Sequence, residues 1–349
     1  MPAAAFTEKT TANEVAEVFA EQIKGKTVLV TGTSVTGLGF TTARAFAKDA
    51  GLVIITGRSL TKLKETEDAL KKEYPQANIR PLVLDLASRE SVRKAAAEVN
   101  AYPEPLHILI HNAAAVIESV RKAAAEVNAY PEPLHILIHN AAAVIGSFRL
   151  NLDNLESQFS SDHVSPFLLT KLLAPKLLAS ASTGFAPRVV VVSSGAHTYG
   201  VIDWDTLAKP DESKYTAIGG YAAAKIANVL FAKELTRRSG GKIQAFSLHP
   251  GAIATGEAPE TVQTMQSLGI YTADGKPNTE KFQWKTREQG SATTVAASVD
   301  PSLEGKGGAY LVDSVIADGQ VSAFAADDGH AKKLWELTEE LLGEKFTFN

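Results

Sequence analysis

Residues 26–39 read KTVLVTGTSVTGLG, and the rest of the chain can be interpreted from this stretch. An apolar run, Val28 to Val30, stops at a turn that holds Gly32, Gly37 and Gly39, and a helical pattern follows from residue 40. This is the pattern of a buried strand, a tight turn and a helix. Glycines allow positive φ and let an anion approach the backbone, while the helix N-terminus supplies free N–H groups. The stretch therefore predicts a phosphate-binding turn.

Composition sets the broad class of the protein. The chain has 349 residues, of which 45% are apolar and 21% charged, so it can bury a large core in one or two domains. A net charge of −4 offers no field that would gather nucleic acid or anionic lipid. The absence of cysteine excludes disulfides, thiolate catalysis and cysteine-ligated metals. With no secretory signal and no uncharged run of ~20 residues, we expect a cytoplasmic protein with no nucleic-acid partner and no membrane span.

Strand and helix patterns alternate along the chain. They predict helices over 11–22, 60–72, 151–181, 219–238, 288–299 and 328–342, and strands over 52–56, 79–84, 188–197, 242–255 and 308–312. Pro166 is expected to kink the longest helix. Residues 256–284 are polar and irregular, which is typical of a lid over a substrate pocket. The alternation predicts an α/β fold, a doubly wound, mostly parallel sheet in a single domain over residues 1–349.

An exact tandem repeat interrupts this pattern. Residues 90–117, ESVRKAAAEVNAYPEPLHILIHNAAAVI, recur without a change at 118–145. Each copy reads as a helix, a YPEP turn and a strand, which is one unit of an alternating α/β fold. Two copies are too few for a solenoid, and their identity indicates a recent or artificial duplication. The two histidines of HILIH lie about 13 Å apart in a strand, too far to hold one ion, so we expect no metal site.

The second strand ends at Gly57-Arg58 rather than at a carboxylate. In dinucleotide-binding folds the end of this strand meets the adenosine ribose, and a carboxylate there holds the 2′-hydroxyl of NAD. An arginine suits a 2′-phosphate instead. Arg58 therefore predicts NADP(H) as the cofactor, and the alternative is a solvated arginine in a turn.

Tyr221 and Lys225 are four residues apart in a helical pattern and therefore share one face. A free tyrosine is a poor base at neutral pH because its pKa is about 10, but a neighbouring ammonium stabilises the phenolate. Ser194 stands at the C-terminal end of the preceding strand, where ligands bind in open α/β sheets. Ser194 can donate to a substrate oxygen that Tyr221 protonates. The structural alternatives are a strand-end cap for Ser194 and a surface charge for Lys225.

The chain resembles the short-chain dehydrogenase/reductase family, and within it the retinol-dehydrogenase-like branch with many fungal members. The resemblance lies in TG-x4-G-x-G at 31–39, HNAA at 139–142, VVSSGAH at 191–197, YAAAKIANVLF at 221–231 and HPGAIAT at 249–255. It spans nearly the whole chain apart from one copy of the repeat. The resemblance implies a Rossmann-type fold and hydride transfer between NADP(H) and a small-molecule carbonyl or alcohol.

The resemblance also implies roles for individual residues. Tyr221 would be the acid/base, Ser194 the hydrogen-bond partner of the substrate, and Lys225 the residue that binds the nicotinamide ribose. Asp162 stands where the family has an asparagine that helps to hold a proton-relay water, and its charge beside Lys225 is expected to lower the rate. The implied cofactor contacts are Gly32, Thr33, Gly37, Leu38, Gly39, Arg58, Asp85, Asn140, Ala141, Lys225, Pro250, Gly251 and Thr255.

The family sheet has one place for the helix and strand of the repeat. A second strand inserted there would move the strand that carries Ser194 about 4.8 Å further from the glycine turn. Because catalytic geometry tolerates errors nearer ~1 Å, such an insertion should abolish turnover, and we expect one copy to be extruded from the sheet instead. The second copy runs directly into the long helix, so we expect Asn140, rather than Asn112, in the site. An extruded copy could pair with another subunit and form a homo-oligomer.

Two functions of different classes are compatible with the sequence. The first is an NADP(H)-dependent oxidoreductase that interconverts a carbonyl and an alcohol. The second is a catalytically impaired NADP(H)-binding sensor or scaffold, which Asp162 and the additional segment motivate. A sugar-nucleotide epimerase is disfavoured because the C-terminal portion is too short for a sugar-nucleotide domain.

Overall fold

A computed structural model describes residues 6–86, 88–112, 117–141, 145–181, 185–255 and 259–348. The strands are β1 (Thr27–Val30), β2 (Leu52–Gly57), β3 (Ile79–Val83), β4 (Ile108–His111), β5 (Ile136–His139), β6 (Arg188–Val192), β7 (Gln244–His249), β8 (Ala252–Ile253), β9 (Trp284–Lys285), β10 (Tyr310–Val312) and β11 (Val315–Ile316). The helices are α1 (Ala12–Val18), α2 (Ala20–Ile23), α3 (Leu38–Ala47), α4 (Leu60–Glu73), α5 (Arg89–Asn100), α6 (Ile117–Asn128), α7 (Ser157–Phe159), α8 (Ser165–Ala181), α9 (Trp204–Ala208), α10 (Ala217–Arg238), α11 (Pro259–Ser267), α12 (Arg287–Val299), α13 (Ala323–Ala326) and α14 (Asp328–Leu342).

Among the described residues, nine strands form one sheet in the order β3-β2-β1-β4-β5-β6-β7-β10-β11. Neighbouring strands pair in parallel except β10 and β11. Alternate strand residues point to opposite faces of the sheet and enter two apolar clusters. Val28 and Ile108 pack on the side of α1, α3 and α12. Leu29 and Leu109 pack on the side of α5, α6, α8 and α10. Burial on both faces explains why the strands are apolar throughout. The predicted doubly wound, mostly parallel α/β sheet is confirmed.

Both copies of the repeat contribute a strand and a helix to this sheet, so the expected extrusion of one copy is wrong. β4 pairs with β1 through Ile108 and Val28, and β5 pairs with β4 through Ile136 and Ile108. β5 then pairs with β6, the strand that precedes Ser194. One additional strand therefore separates Ser194 from the glycine turn.

The apolar character of the repeated strand explains why it stays in the sheet. Ile108, Leu109 and Ile110 are 1%, 6% and 0% exposed. Expelling the strand would return these side chains to water, which costs about 1.5–3 kcal/mol for each fully buried aliphatic group. The inserted strand also brings its own covering helix, so the apolar residues on both of its faces stay buried. The free energy gained by burying these side chains favours insertion, even though insertion changes the distance between the glycine turn and Ser194.

The longest helical segment runs from Ser157 to Ala181, so it ends as predicted but begins six residues later than the predicted start at Asn151, and it contains a π-turn at Ser160–Val164. Pro166 lies two residues after Val164, the last residue of this turn, and, having no N–H, cannot donate to the carbonyl of Asp162. Among the described residues this is the one helix long and apolar enough to cross a membrane, and most of it is buried inside the protein. The burial identifies it as a core helix of this fold.

The segment over 256–284 is more regular than the sequence predicts. Pro259–Ser267 forms α11, so the prediction of an irregular segment is wrong for these nine residues. Residues 256–258 lie outside the described part of the chain. The helix begins at a proline, whose fixed φ favours the first helical position.

Candidate active site

A crevice of about 280 Å³ opens at the C-terminal ends of the central strands. Its lining consists of Leu38, Asn112, Asn140, Ile145, Val192, Ser193, Tyr221, Lys225, Pro250, Gly251, Ile253, Thr255 and Met265. Seven predicted site residues meet there: Leu38, Asn140, Tyr221, Lys225, Pro250, Gly251 and Thr255. One cavity thus reaches from the glycine turn to the tyrosine and lysine.

The glycine turn forms one end of this crevice. Gly32 has a φ of +68°, which glycine adopts without steric cost. A Cβ on Gly39 would lie 2.5 Å from Nδ2 of Asn112, so a larger residue would displace that side chain. Gly37 is the N-cap residue of α3, and no side chain caps this helix. No side chain therefore competes with an anion for the first N–H groups of α3.

The two repeated asparagines link this turn to the rest of the crevice. Nδ2 of Asn112 donates to the Gly32 carbonyl at 2.9 Å, and the Asn112 N–H donates to Oγ1 of Thr31 at 2.9 Å. Nδ2 of Asn140 donates to Oδ1 of Asn112 at 2.5 Å. Both asparagines line the crevice, so the expectation that Asn140 would stand there instead of Asn112 is wrong. Asn112 holds the turn, and Asn140 extends the amide chain across the additional strand.

Helix α10 presents Tyr221 and Lys225 to the crevice. Thr216 caps the helix by accepting from the Gly219 N–H at 3.1 Å, and this sets where the first turn begins. Nζ of Lys225 lies 5.4 Å from the centroid of the Tyr221 ring. Oγ of Ser193 donates to the Lys225 carbonyl at 2.7 Å and ties the helix to the end of β6. The ammonium is thus fixed close to the phenol.

Lys225 is also paired with Asp162, at 3.0 Å between Nζ and Oδ2, and both side chains are almost wholly buried. The π-turn of the long helix carries Asp162 to this position. Burial by itself lowers the pKa of the Lys225 ammonium, but the Asp162 carboxylate and the Tyr221 phenol outweigh it and raise the pKa above its usual value. Lys225 is therefore charged at neutral pH. Because the carboxylate is anionic when paired, it also offsets part of the positive field that reaches Tyr221.

Ser194 begins a short 3₁₀ turn, Gly195–Thr198, directly after β6. Its Oγ accepts from the Ala196 N–H at 3.2 Å. The neighbouring Ser193 lines the crevice, whereas the predicted Ser194 is not among the lining residues. Nδ1 of His249 accepts from the Gly195 N–H at 3.0 Å, and burial lowers the pKa of His249 to about 4, so the ring is neutral and suited to accept.

The remaining predicted contacts lie elsewhere along the edge of the sheet. Arg58 follows β2 and is exposed, and Asp85 follows β3, where its N–H donates to Oγ of Ser91 at 2.8 Å. Because β2 and β3 lie beyond β1, these two residues are on the far side of the glycine turn from Tyr221. Thr33 is buried and donates to the Thr56 carbonyl at 3.1 Å, and Ala141 is buried beside Asn140.

Sequence reasoning missed six lining residues, Asn112, Ile145, Val192, Ser193, Ile253 and Met265. The copies are identical, so only the continuity of the second copy with the long helix distinguished them, and that signal favoured Asn140 and excluded Asn112. Ile253 lies within HPGAIAT, between the predicted contacts Gly251 and Thr255, so its position in the sequence could have identified it as a lining residue. Met265 lies on α11, which the polar composition of that segment concealed.

The repeated histidines form two side-by-side pairs, because β4 and β5 are in register. Ring centroids are 5.4 Å apart for His107 and His135, and 5.9 Å for His111 and His139. Within the described ranges, no group of three or more histidine, aspartate or glutamate residues is placed to hold a metal ion. The pairs are therefore interpreted as packed strand residues.

The family model for short chain dehydrogenases matches the chain twice, over residues 26–128 and over residues 114–266. Each match contains one whole copy of the repeat. Danio rerio WW domain-containing oxidoreductase is 33% identical over 335 residues, covering 94% of this chain and 71% of the relative. Brassica napus short-chain dehydrogenase TIC 32 B, chloroplastic, is 31% identical over 326 residues, covering 91% of this chain and 89% of the relative.

Two solved structures share the fold. One is an uncharacterised protein from Mycobacterium paratuberculosis, with a TM-score of 0.57, 26% identity, and coverage of 93% of this chain and 96% of that one. The other is a Shigella flexneri short chain dehydrogenase complexed with NADP, with a TM-score of 0.50, 20% identity, and coverage of 84% and 98%. The retinol-dehydrogenase-like branch, the cytoplasmic location and the homo-oligomer stay predictions.

Proposed function

Because this chain belongs to the short-chain dehydrogenase/reductase family of oxidoreductases, we propose that it interconverts a carbonyl and an alcohol with NADP(H), using Tyr221 as the acid/base. The observation that carries the proposal is the placement of Tyr221 and the buried ammonium of Lys225 on one wall of a crevice that also reaches the glycine turn. The substrate is a small to medium, apolar carbonyl or alcohol, which Ile145, Ile253 and Met265 of the lining support.

Tyr221 performs the proton step. In reduction its hydroxyl gives a proton to the carbonyl oxygen, and in oxidation its phenolate takes a proton from the alcohol. The Lys225 ammonium stabilises the phenolate because an opposite charge nearby favours the ionised form. Ser194 donates to the same substrate oxygen and holds it near Tyr221. These proposed roles combine the positions of the side chains in this site with the reaction of the family.

The glycine turn suits a dinucleotide phosphate. The absence of a Cβ at Gly39, the positive φ of Gly32 and the uncapped N-terminus of α3 provide an anion site. Arg58, exposed at the end of β2, is placed for a 2′-phosphate, which favours NADP(H) over NAD(H). When bound, the nicotinamide supplies or accepts the hydride. Lys225, Pro250 and Gly251 would hold that end.

The inserted strand widens the distance between the two ends of the crevice. Strands are about 4.8 Å apart, so the β6 end stands one strand spacing further from β1 than in a sheet with one copy. A 1 Å misplacement can already cost about 100-fold in rate. We therefore propose a slow enzyme, whose two half-sites are each intact and whose separation limits turnover.

The test is NADPH oxidation followed by absorbance with a panel of aldehydes and ketones. Tyr221→Phe removes the proton donor and is expected to lower kcat by at least about 100-fold, the scale of general acid catalysis. Tyr215→Phe is the matched control, because Tyr215 precedes α10 and packs on Phe148 outside the crevice lining. Turnover that survives Tyr221→Phe would contradict the proposal.

The inserted strand and the Lys225–Asp162 ion pair favour a second candidate, an NADP(H)-binding sensor or scaffold with impaired catalysis. The two candidates differ in one measurement. Saturable NADPH binding by fluorescence, without oxidation of NADPH by any carbonyl of the panel, identifies the sensor. Oxidation that depends on Tyr221 identifies the enzyme.

A further inference from the structure

A second cavity, of about 90 Å³, lies between helices α5 and α6 and the underlying sheet. Its walls include Val92 and Ala95 of α5, Val120 and Ala123 of α6, and Leu29 and Leu109 of the sheet. Nearly all of its surface is apolar, and its lining shares no residue with the crevice around Tyr221. The cavity is therefore a separate space, on the face of the sheet that α5 and α6 cover.

The duplication creates this space. Both helices contain the run RKAAAEV, and Ala95 and Ala123 occupy the same position in the two copies. A helix whose neighbour is its own copy presents methyl groups to methyl groups, so no large side chain fills the gap. Because a buried water needs two to four polar partners, a space whose surface is almost wholly apolar favours an apolar occupant over ordered water.

Polar side chains reach the cavity from the sheet, at Thr31 and His111, and from the second copy, at Ser119, Glu126 and Tyr130. Tyr130 and Glu126 both line it, and the buried Tyr130 hydroxyl has no hydrogen-bond partner among the residues described. In the first copy the equivalent hydroxyl, that of Tyr102, donates to Glu98 at 2.9 Å. Burial raises the pKa of Tyr130 well above its usual value, so its phenol stays a hydrogen-bond donor. A buried donor without a partner has lost its hydrogen bonds to water and gained none in exchange.

We propose that this cavity binds a small molecule that has an apolar ring or short chain and a single hydroxyl or carbonyl group. The apolar part fills the space between Ala95 and Ala123 and restores the dispersion contacts that the void lacks. The oxygen of the ligand accepts from the Tyr130 hydroxyl and removes the cost of its unmade hydrogen bond.

The binding test uses ¹⁹F NMR titration of the full chain with 4-fluorophenol and with fluorobenzene. We expect saturable binding of both probes, with 4-fluorophenol tighter by about 2- to 10-fold, the value of one net hydrogen bond. Absence of saturable binding for both probes would overturn the proposal. The titration needs neither NADPH nor turnover, so its outcome is independent of the proposed function.

Two matched pairs of variants locate the probe. Tyr130→Phe is expected to abolish the advantage of 4-fluorophenol over fluorobenzene, whereas Tyr102→Phe, the same change in the first copy, retains it. Ala123→Leu fills the cavity and is expected to weaken both probes at least 10-fold, whereas Ala125→Leu, on the exposed side of α6, leaves them unchanged. Circular dichroism checks that each variant folds, and the tyrosine pair decides if Ala123→Leu does not. Equal effects within either pair of folded variants refute the assignment.

Discussion

The two copies of the repeat have the same sequence but occupy different places in the sheet, and their side chains make different contacts. Asn112 bonds to the glycine turn, whereas Asn140 bonds to Asn112. Tyr102 donates to Glu98, whereas the Tyr130 hydroxyl is buried without a partner among the described residues. The two repeated strands pair with each other, and on its other side β4 pairs with β1 whereas β5 pairs with β6. Identical residues therefore have different surroundings. Local sequence thus specifies the unit, and its neighbours specify what each side chain does.

The same comparison explains the divided crevice. The turn that would bind phosphates is held by the first copy, and Tyr221 and Lys225 lie beyond the second copy. Each half has the contacts that its residues predict. What the duplication changes is the separation of the halves, and catalysis depends on that separation more steeply than folding does.

The strongest test removes one copy. Deleting residues 90–117 or residues 118–145 produces the same chain, because the copies are identical. The strand that carries Ser194 then moves about 4.8 Å closer to the glycine turn, and kcat/KM for NADPH-dependent carbonyl reduction is expected to rise at least about 100-fold. The measurement is NADPH oxidation, and Tyr221→Phe in the shortened chain is the control. Equal rates in the two chains would show that the additional strand does not limit turnover.

The variant Asp162→Asn separates the effect of the Lys225–Asp162 ion pair on the rate from the effect of the additional strand. Removing the carboxylate leaves the Lys225 ammonium uncompensated beside Tyr221, and a more positive field favours the departure of the Tyr221 proton. The rate of NADPH oxidation by the shortened chain is therefore expected to rise, by up to about 10-fold. Thermal unfolding reports the cost of losing the buried pair. An unchanged or lower kcat in a folded Asp162→Asn variant of the shortened chain contradicts the role of Asp162.

Asn112→Ala and Asn140→Ala test whether the copies have different duties. Asn112→Ala leaves the Gly32 carbonyl without its donor and is expected to weaken NADPH binding about 5- to 10-fold, since one hydrogen bond contributes about 1 kcal/mol. Asn140→Ala removes only the outer bond and is expected to change affinity less than 3-fold. Fluorescence titration measures both. A larger effect at Asn140 would reverse the assignment.

The histidine pairs predict the smallest difference, in acid stability. Burial lowers the pKa of His107 to about 4, and it also lowers the pKa values of His135 and His139. Since the unfolded chain binds more protons between pH 4 and the ordinary histidine pKa of about 6.5, the free energy of unfolding falls as pH falls through this window. The shortened chain has one histidine in place of each pair, so its stability should fall less steeply in urea unfolding at pH 7 and pH 5. If the free energy of unfolding falls equally between pH 7 and pH 5 in both chains, groups other than the repeated histidines cause the acid lability.

Much of the site was predictable because its parts are local. The glycine turn needs positive φ at Gly32, and the pair Tyr221 and Lys225 needs only the helical period. The ion pair between Lys225 and Asp162 was anticipated in kind, through the expectation that the charge of Asp162 acts beside Lys225. The cavity between α5 and α6 could not be predicted, because it depends on how two identical helices pack against each other.

By itself the sequence determined the α/β alternation, the order of strands and helices and the residues at the strand ends, since these follow from periodicity, glycine and charge. Only the tertiary structure decided that both copies of the repeat enter the sheet. Extrusion and insertion use the same local structure, and they differ in whether Ile108, Leu109 and Ile110 exchange water for neighbours on both faces. That burial is a property of the assembled sheet, and it sets the distance between the glycine turn and Tyr221.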